Sequence, residues 1–206
     1  MATVSGNRST LVDYLVPAPS TRSLNLLRDG LLVVGFSVFM ILCAQVSFFI
    51  PVTPVPVTLQ TLGVLLTGAA LGSRRGALSL LVYLAEGAVG LPVFAAWSGG
   101  LHVLIGYTAG YLWAFPVAAF VVGWLCEKRL ERRFLTSVLA MLPGSVIIYA
   151  LGMIGLMIVL HLNLTKAFFG GVVPFLPGDL LKLVVAVLLL PSAWAIVKAV
   201  RPDSNL

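Results

Sequence analysis

The chain has 206 residues, of which 60% are hydrophobic and only 10% charged, and its 13 Lys and Arg against 7 Asp and Glu give a net charge of +6. A core built from a chain of this length cannot hide so much apolar surface, which excludes an ordinary water-soluble domain and makes lipid the solvent for the excess. The positive balance does not indicate nucleic acid, because the charges sit at the ends of apolar runs and form no broad basic face.

From the N-terminus, Met1 to Arg28 carries Pro17, Pro19 and several Ser and Thr residues. It reads as a cytoplasmic arm over residues 1–29, partly disordered or lying on the surface. The apolar run behind it is too long for a cleaved signal core. Leu31 to Ile50 is 20 residues without a formal charge, enough to cross a hydrocarbon core of about 30 Å. Pro51, Pro54 and Pro56 end this first crossing and stiffen the connection that follows.

Val57 to Leu71 is a shorter second run, stopped by Gly72 and Ser73 before Arg74 and Arg75. It suffices only if the preceding connection dips into a protein-lined cavity. The third run, Gly76 to Leu91, contains Glu86 and is broken by Pro92, after which Gly99, Gly100 and Gly106 form a loop. A fourth starts at Gly106 to Gly110, contains Pro116 and ends at Cys126. The fifth lies between Phe134 and Leu160, and Pro143 and Gly144 interrupt it. The sixth runs from near Gly178 to about Val197.

The basic residues agree with this count. Arg8, Arg22 and Arg28, the pair Arg74 and Arg75, the cluster Lys128, Arg129, Arg132 and Arg133, and Lys198 with Arg201 all flank alternate connections. Positive charge marks the cytoplasmic side. The expectation is an all-α, compact bundle of six transmembrane helices over residues 30–200, with both termini cytoplasmic and a tail at 201–206. The protein is then a multi-pass component of the cytoplasmic (inner) membrane, surrounded by lipid. Cys43 and Cys126 lie inside apolar runs and read as small hydrophobes, not as a disulfide.

Three outward connections differ from the inward ones in being rich in Pro, Gly, aromatic residues and uncharged donors. Thr58, Gln60 and Thr61 offer hydrogen bonds at the start of a helix, either as a satisfied cap or as a binding wall. Phe94 and Trp97 beside Gly99 and Gly100 suit either an interfacial belt or close approach to a small ligand. Asp179 and Lys182 stand three residues apart at the start of the sixth crossing and so share a helical face. Either charge alone near hydrocarbon is expensive, so the two form an ion pair that fastens the helix or a recognition site for a solute with polar ends. Glu86 could serve proton coupling or a buried hydrogen bond. His102 and His161 lack a metal-ligand pattern, and no Walker phosphate-binding sequence occurs, so any ATP requirement rests with partners.

The segments Pro54-Val55-Pro56-Val57-Thr58-Leu59-Gln60-Thr61-Leu62-Gly63-Val64, Gly90-Leu91-Pro92-Val93-Phe94, Gly99-Gly100, Thr108-Ala109-Gly110-Tyr111-Leu112 and Pro174-Phe175-Leu176-Pro177-Gly178-Asp179-Leu180-Leu181-Lys182 together resemble the BioY family. Its members are the biotin-binding substrate components of energy-coupling-factor transporters. The resemblance covers about residues 30 to 200. It implies a six-helix subunit that encloses biotin near the extracellular side and does no covalent chemistry. It also implies that a transmembrane coupling subunit and two cytoplasmic ATP-binding subunits drive uptake. Carried onto this chain, it assigns Asp179 to the ureido N–H groups and Lys182 to the ureido oxygen, the tail or Asp179. Thr58 and Gln60 then form a first wall, Phe94, Gly99 and Gly100 a second, and Thr108, Gly110 and Tyr111 a third. Biotin is the transported ligand, and neither a cofactor nor a metal is implied. Helix 1 offers Gly35, Phe39 and Cys43 where many such components present two alanines, which leaves the coupling partner open. The alternatives are a stand-alone or ion-coupled biotin carrier, motivated by Glu86, and a non-transport scaffold, motivated by a purely structural Asp179–Lys182 pair.

Overall fold

In a computed structural model, residues 10–19, 21–128 and 134–200 are described. Arg8, Arg129, Arg132, Arg133, Arg201 and the tail 201–206 lie outside the described residues. In chain order the helices are α1 (Leu11–Leu15), α2 (Arg22–Gln45), α3 (Gln60–Leu71), α4 (Ser73–Ala88), α5 (Leu101–Ile105), α6 (Ala109–Glu127), α7 (Phe134–Val159), α8 (Leu164–Gly171) and α9 (Leu176–Val200). The remaining regular structure is a two-residue antiparallel ladder, β1 (Ser47–Phe48) with β2 (Val57–Thr58), and a 3-10 turn at Ala95–Trp97. The chain is all-α in architecture.

Among the described residues four helices are long and apolar enough to cross a bilayer: α2, α6, α7 and α9. They make this a multi-pass membrane protein. Large apolar side chains such as Leu42, Val117, Leu139 and Leu188 face outward, as lipid contact requires and water would not favour. Helix α3 has 12 residues and α4 has 16, or about 18 and 24 Å of rise, short of a full crossing. In the connection before α3, Thr53, Val55 and Val57 are buried.

Helix α6 is the centre of the bundle: 61% of its apolar window is buried, against 22–28% for the other three long helices. Small residues let its neighbours close on it. A Cβ on Gly68 of α3 would lie 2.6 Å from the Ala119 carbonyl oxygen, and one on Gly155 of α7 would lie 2.7 Å from Gly110 Cα. Backbones in lipid pack closely where side chains are absent. Helix α7 continues through Pro143, and α6 and α9 continue through Pro116 and Pro191.

Two boundaries differ from expectation. The first long helix starts at Arg22 and stops at Gln45, not at Leu31 and Ile50, because Arg28 finds a carboxylate at 2.9 Å in Asp13 and because Ser47 and Phe48 leave the helix to pair with Val57 and Thr58. The arm is also structured from residue 10. Leu11 and Tyr14 of α1 pack on Trp194 and Val197 of α9, and Val12 packs on Ala70 and Leu71 of α3. Asp13 is the hub of this end of the bundle. It takes Arg28 Nη2 at 2.9 Å and Arg75 Nη2 at 2.8 Å, and Arg75 Nη1 reaches Asp29 at 3.1 Å. Burial pushes the Asp13 carboxyl up, but hydrogen bonds from Arg75, Arg28 and Thr10 outweigh it and hold the group below its ordinary value.

Candidate functional site

At the end of the bundle opposite α1, the starts of α3, α6 and α9 surround a cavity of about 280 Å³. Its floor and sides are apolar, formed by Val55, Phe94, Leu112, Phe115, Ile148 and Phe175, with Tyr111 and Phe175 ring centroids 6.4 Å apart. Polar groups collect on one side. This is the composition of a small-molecule site: a greasy enclosure with few, fixed hydrogen-bonding groups.

The polar side is a network drawn from β2, α3, α7 and α9. Lys182 Nζ donates to Asp179 Oδ1 at 2.6 Å, to the Thr58 carbonyl at 2.6 Å and to Thr61 Oγ1 at 3.2 Å. Thr61 Oγ1 in turn donates to Asp179 Oδ1 at 3.1 Å, and the Tyr149 hydroxyl donates to Asp179 Oδ2 at 2.6 Å. The Asp179 and Lys182 side chains are each 11% exposed, so their opposite charges cancel where an unpaired one would be prohibitive. An ammonium has three N–H donors, and all three of Lys182 are engaged. A carboxylate has about four acceptor positions, of which Asp179 uses three, leaving room for a donor from a ligand.

Hydrogen bonds and ring contacts behind these groups fix the walls. Thr58 Oγ1 accepts from the Gln60 amide at 3.1 Å and lies 3.1 Å from Gln60 Oε1, while Gln60 Nε2 donates to the Tyr83 hydroxyl at 2.8 Å. That hydroxyl donates to the Val93 carbonyl at 3.2 Å. The Tyr83 ring meets Phe94 edge-on, with centroids 5.4 Å apart. Tyr111 is fixed by its hydroxyl, which donates to the Gly171 carbonyl at 2.6 Å just beyond the cavity.

Of the residues singled out from sequence, Thr58, Gln60, Phe94, Thr108, Tyr111, Asp179 and Lys182 all line this one cavity. Gly99, Gly100 and Gly110 do not, and their surroundings explain why those positions hold glycine. A Cβ on Gly99 would collide with the Leu91 carbonyl, and Gly110 is the close-approach point of α6 on α7. Gly100 has φ +98 at the start of α5 and donates its amide to the Gly87 carbonyl at 2.7 Å. The BioY family model matches residues 15–199. The chain belongs to the BioY family.

Relatives in this family match two thirds or more of the chain. The chain is 44% identical over 154 residues to a biotin transporter BioY of Thermotoga maritima, covering 75% of this chain and 88% of that protein. It is 43% identical over 151 residues to one of Rhodobacter capsulatus, covering 66% and 80%. A similar fold is found in the crystal structure of the S-component for biotin from an ECF-type ABC transporter, with TM-score 0.75 and 25% identity over 90% of this chain and 96% of that one.

Among the residues lining this BioY-family cavity that sequence reasoning did not assign to it are Tyr149 and Phe175. Tyr149 is a lone phenol inside an uncharged run, and only the crossing of α7 over α9 brings it to Asp179, 30 positions away. Its one sequence mark is being the single tyrosine of a run whose other hydroxyls are Thr136, Ser137 and Ser145. Phe175 stands one residue before α9 yet forms part of the apolar wall. Glu86 is elsewhere: its Oε1 lies 3.0 Å from Ser37 Oγ between α4 and α2, and it does not line the cavity. His102 lines the rim.

Proposed function

We propose that this chain is the biotin-binding S-component of an ECF-type ABC transporter and mediates uptake of the vitamin across the cytoplasmic membrane. The observation that carries this reading is Asp179, a carboxylate held by three donors with an acceptor position to spare, beside an apolar enclosure sized for a small bicyclic solute. The chain binds and presents its cargo; it is a transport protein and not an enzyme.

In this reading a ureido N–H of biotin meets the open acceptor position of Asp179, and the fused rings lie among Phe94, Tyr111 and Phe175. Lys182 acts through Asp179, because its three donors are already committed to Asp179, Thr58 and Thr61. Thr58 and Gln60 hold the wall at the start of α3, and Thr108 closes the side next to α6. The helices α2, α3, α4, α6, α7 and α9 supply six crossings, with the 46–59 connection, which is buried at Thr53, Val55 and Val57, making up for the shortness of α3. Both termini then face the cytoplasm, which puts the cavity toward the outside, where the vitamin is captured.

Reorientation and release require an engine, supplied by a transmembrane coupling subunit and two ATP-binding subunits. Binding energy selects the loaded state and ATP turnover resets it. Placement of Glu86 against Ser37, away from the cavity, removes the main motive for an ion-coupled carrier. The test is equilibrium binding of labelled biotin to the purified chain in detergent, with desthiobiotin and lipoate as competitors. Displacement by desthiobiotin and not by lipoate is expected, since only the former has a ureido group. Absence of saturable biotin binding by folded protein would refute the assignment.

A further inference from the structure

The segment from Phe94 to Ser98 forms one wall of the cavity through Phe94, Ala95, Ala96 and Ser98, and its backbone is strained. Ala96 has φ 54 and ψ 38, and Trp97 has φ 58. Two successive residues with side chains thus occupy the left-handed region, which a Cβ disfavours and which persists only where surrounding contacts impose it. Phe94 is anchored on α4, by its ring contact with Tyr83 and its close seat on Gly87. The strained pair beyond it has a different anchor.

That anchor is Gln45, the last residue of α2. Its Nε2 donates to the Phe94 carbonyl at 3.1 Å and lies 3.4 Å from that of Val93, and its Oε1 accepts the Trp97 amide at 3.0 Å. One side-chain amide therefore grips the wall on both sides of the left-handed turn. The Trp97 ring cannot help, being 67% exposed and outside the cavity lining.

We propose that Gln45 is a positioning residue that holds this strained wall closed over the bound solute and so sets how fast biotin escapes. The inference rests on the biotin reading for its ligand, but the conformational part stands without it. Gln45 touches neither the cavity nor Asp179, so its effect falls on the closed state of the wall. Removing it accelerates dissociation far more than it slows association, as is usual when a contact acts after encounter.

The experiment measures biotin dissociation and association rates, and amide hydrogen exchange of residues 94–98 without ligand, for wild type, Gln45→Leu, Gln45→Glu, Ala96→Gly and the Gln45→Leu/Ala96→Gly pair. Gln45→Leu is expected to dissociate about tenfold faster, with the association rate changed less than about threefold. The Trp97 amide should exchange faster by a similar factor. Gln45→Glu keeps the acceptor for Trp97 but sets a carboxylate against two carbonyls, so it should dissociate at least as fast as Gln45→Leu, and it carries the test if the leucine variant does not fold. Ala96→Gly removes the conformational penalty and should restore part of the slow dissociation in the Gln45→Leu background. Unchanged dissociation in both Gln45 variants, or a glycine pair as fast as the single variant, would overturn the proposal. Unchanged Trp97 exchange would overturn it whatever the ligand, whereas a wild-type chain that fails to bind biotin refutes the function and leaves the exchange result to judge the wall.

Discussion

The two ends of the bundle each bury a carboxylate among cations and hydroxyls, yet they differ in what lies beside it. At the α1 end, Asp13 bridges Arg28 and Arg75, and α1 covers the network with Leu11, Val12 and Tyr14. At the other end, Asp179 pairs with Lys182 and accepts from Thr61 and Tyr149, but its open side borders a cavity of about 280 Å³. Charge in the membrane is therefore no mark of a binding site in itself. What separates a clasp from a site is whether apolar walls leave room next to an acceptor that is not fully used.

The sharpest break of this comparison is Asp179→Ala. It takes from Tyr149 its acceptor and from Lys182 its counter-charge, and it removes the acceptor proposed for the ligand, so biotin affinity should fall by about 100-fold or more while the protein still inserts in the membrane. A binding isotherm on detergent-purified, monodisperse protein checks this. Lys182→Met should follow, at about 30-fold, since Asp179 would lose its charge partner while Tyr149 and Thr61 keep it in place. Tyr149→Phe removes a single charge-assisted bond and should weaken binding about tenfold, with thermal stability nearly unchanged.

The α1 end should respond in the opposite sense. Asp13→Asn is expected to lower the thermal unfolding midpoint, through a loss of about 1–3 kcal/mol, and to leave biotin affinity within about twofold. The native Asp13 carboxyl titrates below its ordinary 3.8. Its contribution is therefore fully present above that value and lost as pH falls through the lower, folded value. A midpoint that drops in acid for wild type, and less for Asp13→Asn, would locate the effect. The smallest expected change is that of Glu86→Gln, within about twofold in affinity and with uptake still indifferent to an ion gradient.

Much of this was legible in the chain because membranes simplify the code. Hydropathy and sorted Lys and Arg outline the helices, and Asp179 with Lys182 is visible as an i,i+3 pair that no lipid-facing surface would tolerate. The contrary cases share one cause, which is distance along the chain. The arm reads as a polar, proline-bearing tail until Asp13 meets Arg75, 62 positions away. Tyr149 has no local pattern that distinguishes it from other hydroxyls, and Thr61, legible as a donor at the start of α3, reaches Asp179 only across 118 positions. Gly110 was legible as important but not as packing, because a glycine beside a ligand and a glycine beneath a crossing helix look the same in sequence.

The most direct measurement is an experimental structure of the chain with biotin bound. It should place a ureido N–H within about 3.2 Å of the Asp179 carboxylate, with the rings against Phe94 and Phe175 and the Lys182 ammonium still on Asp179. Biotin seated elsewhere, or an Asp179 turned away from it, would contradict the account.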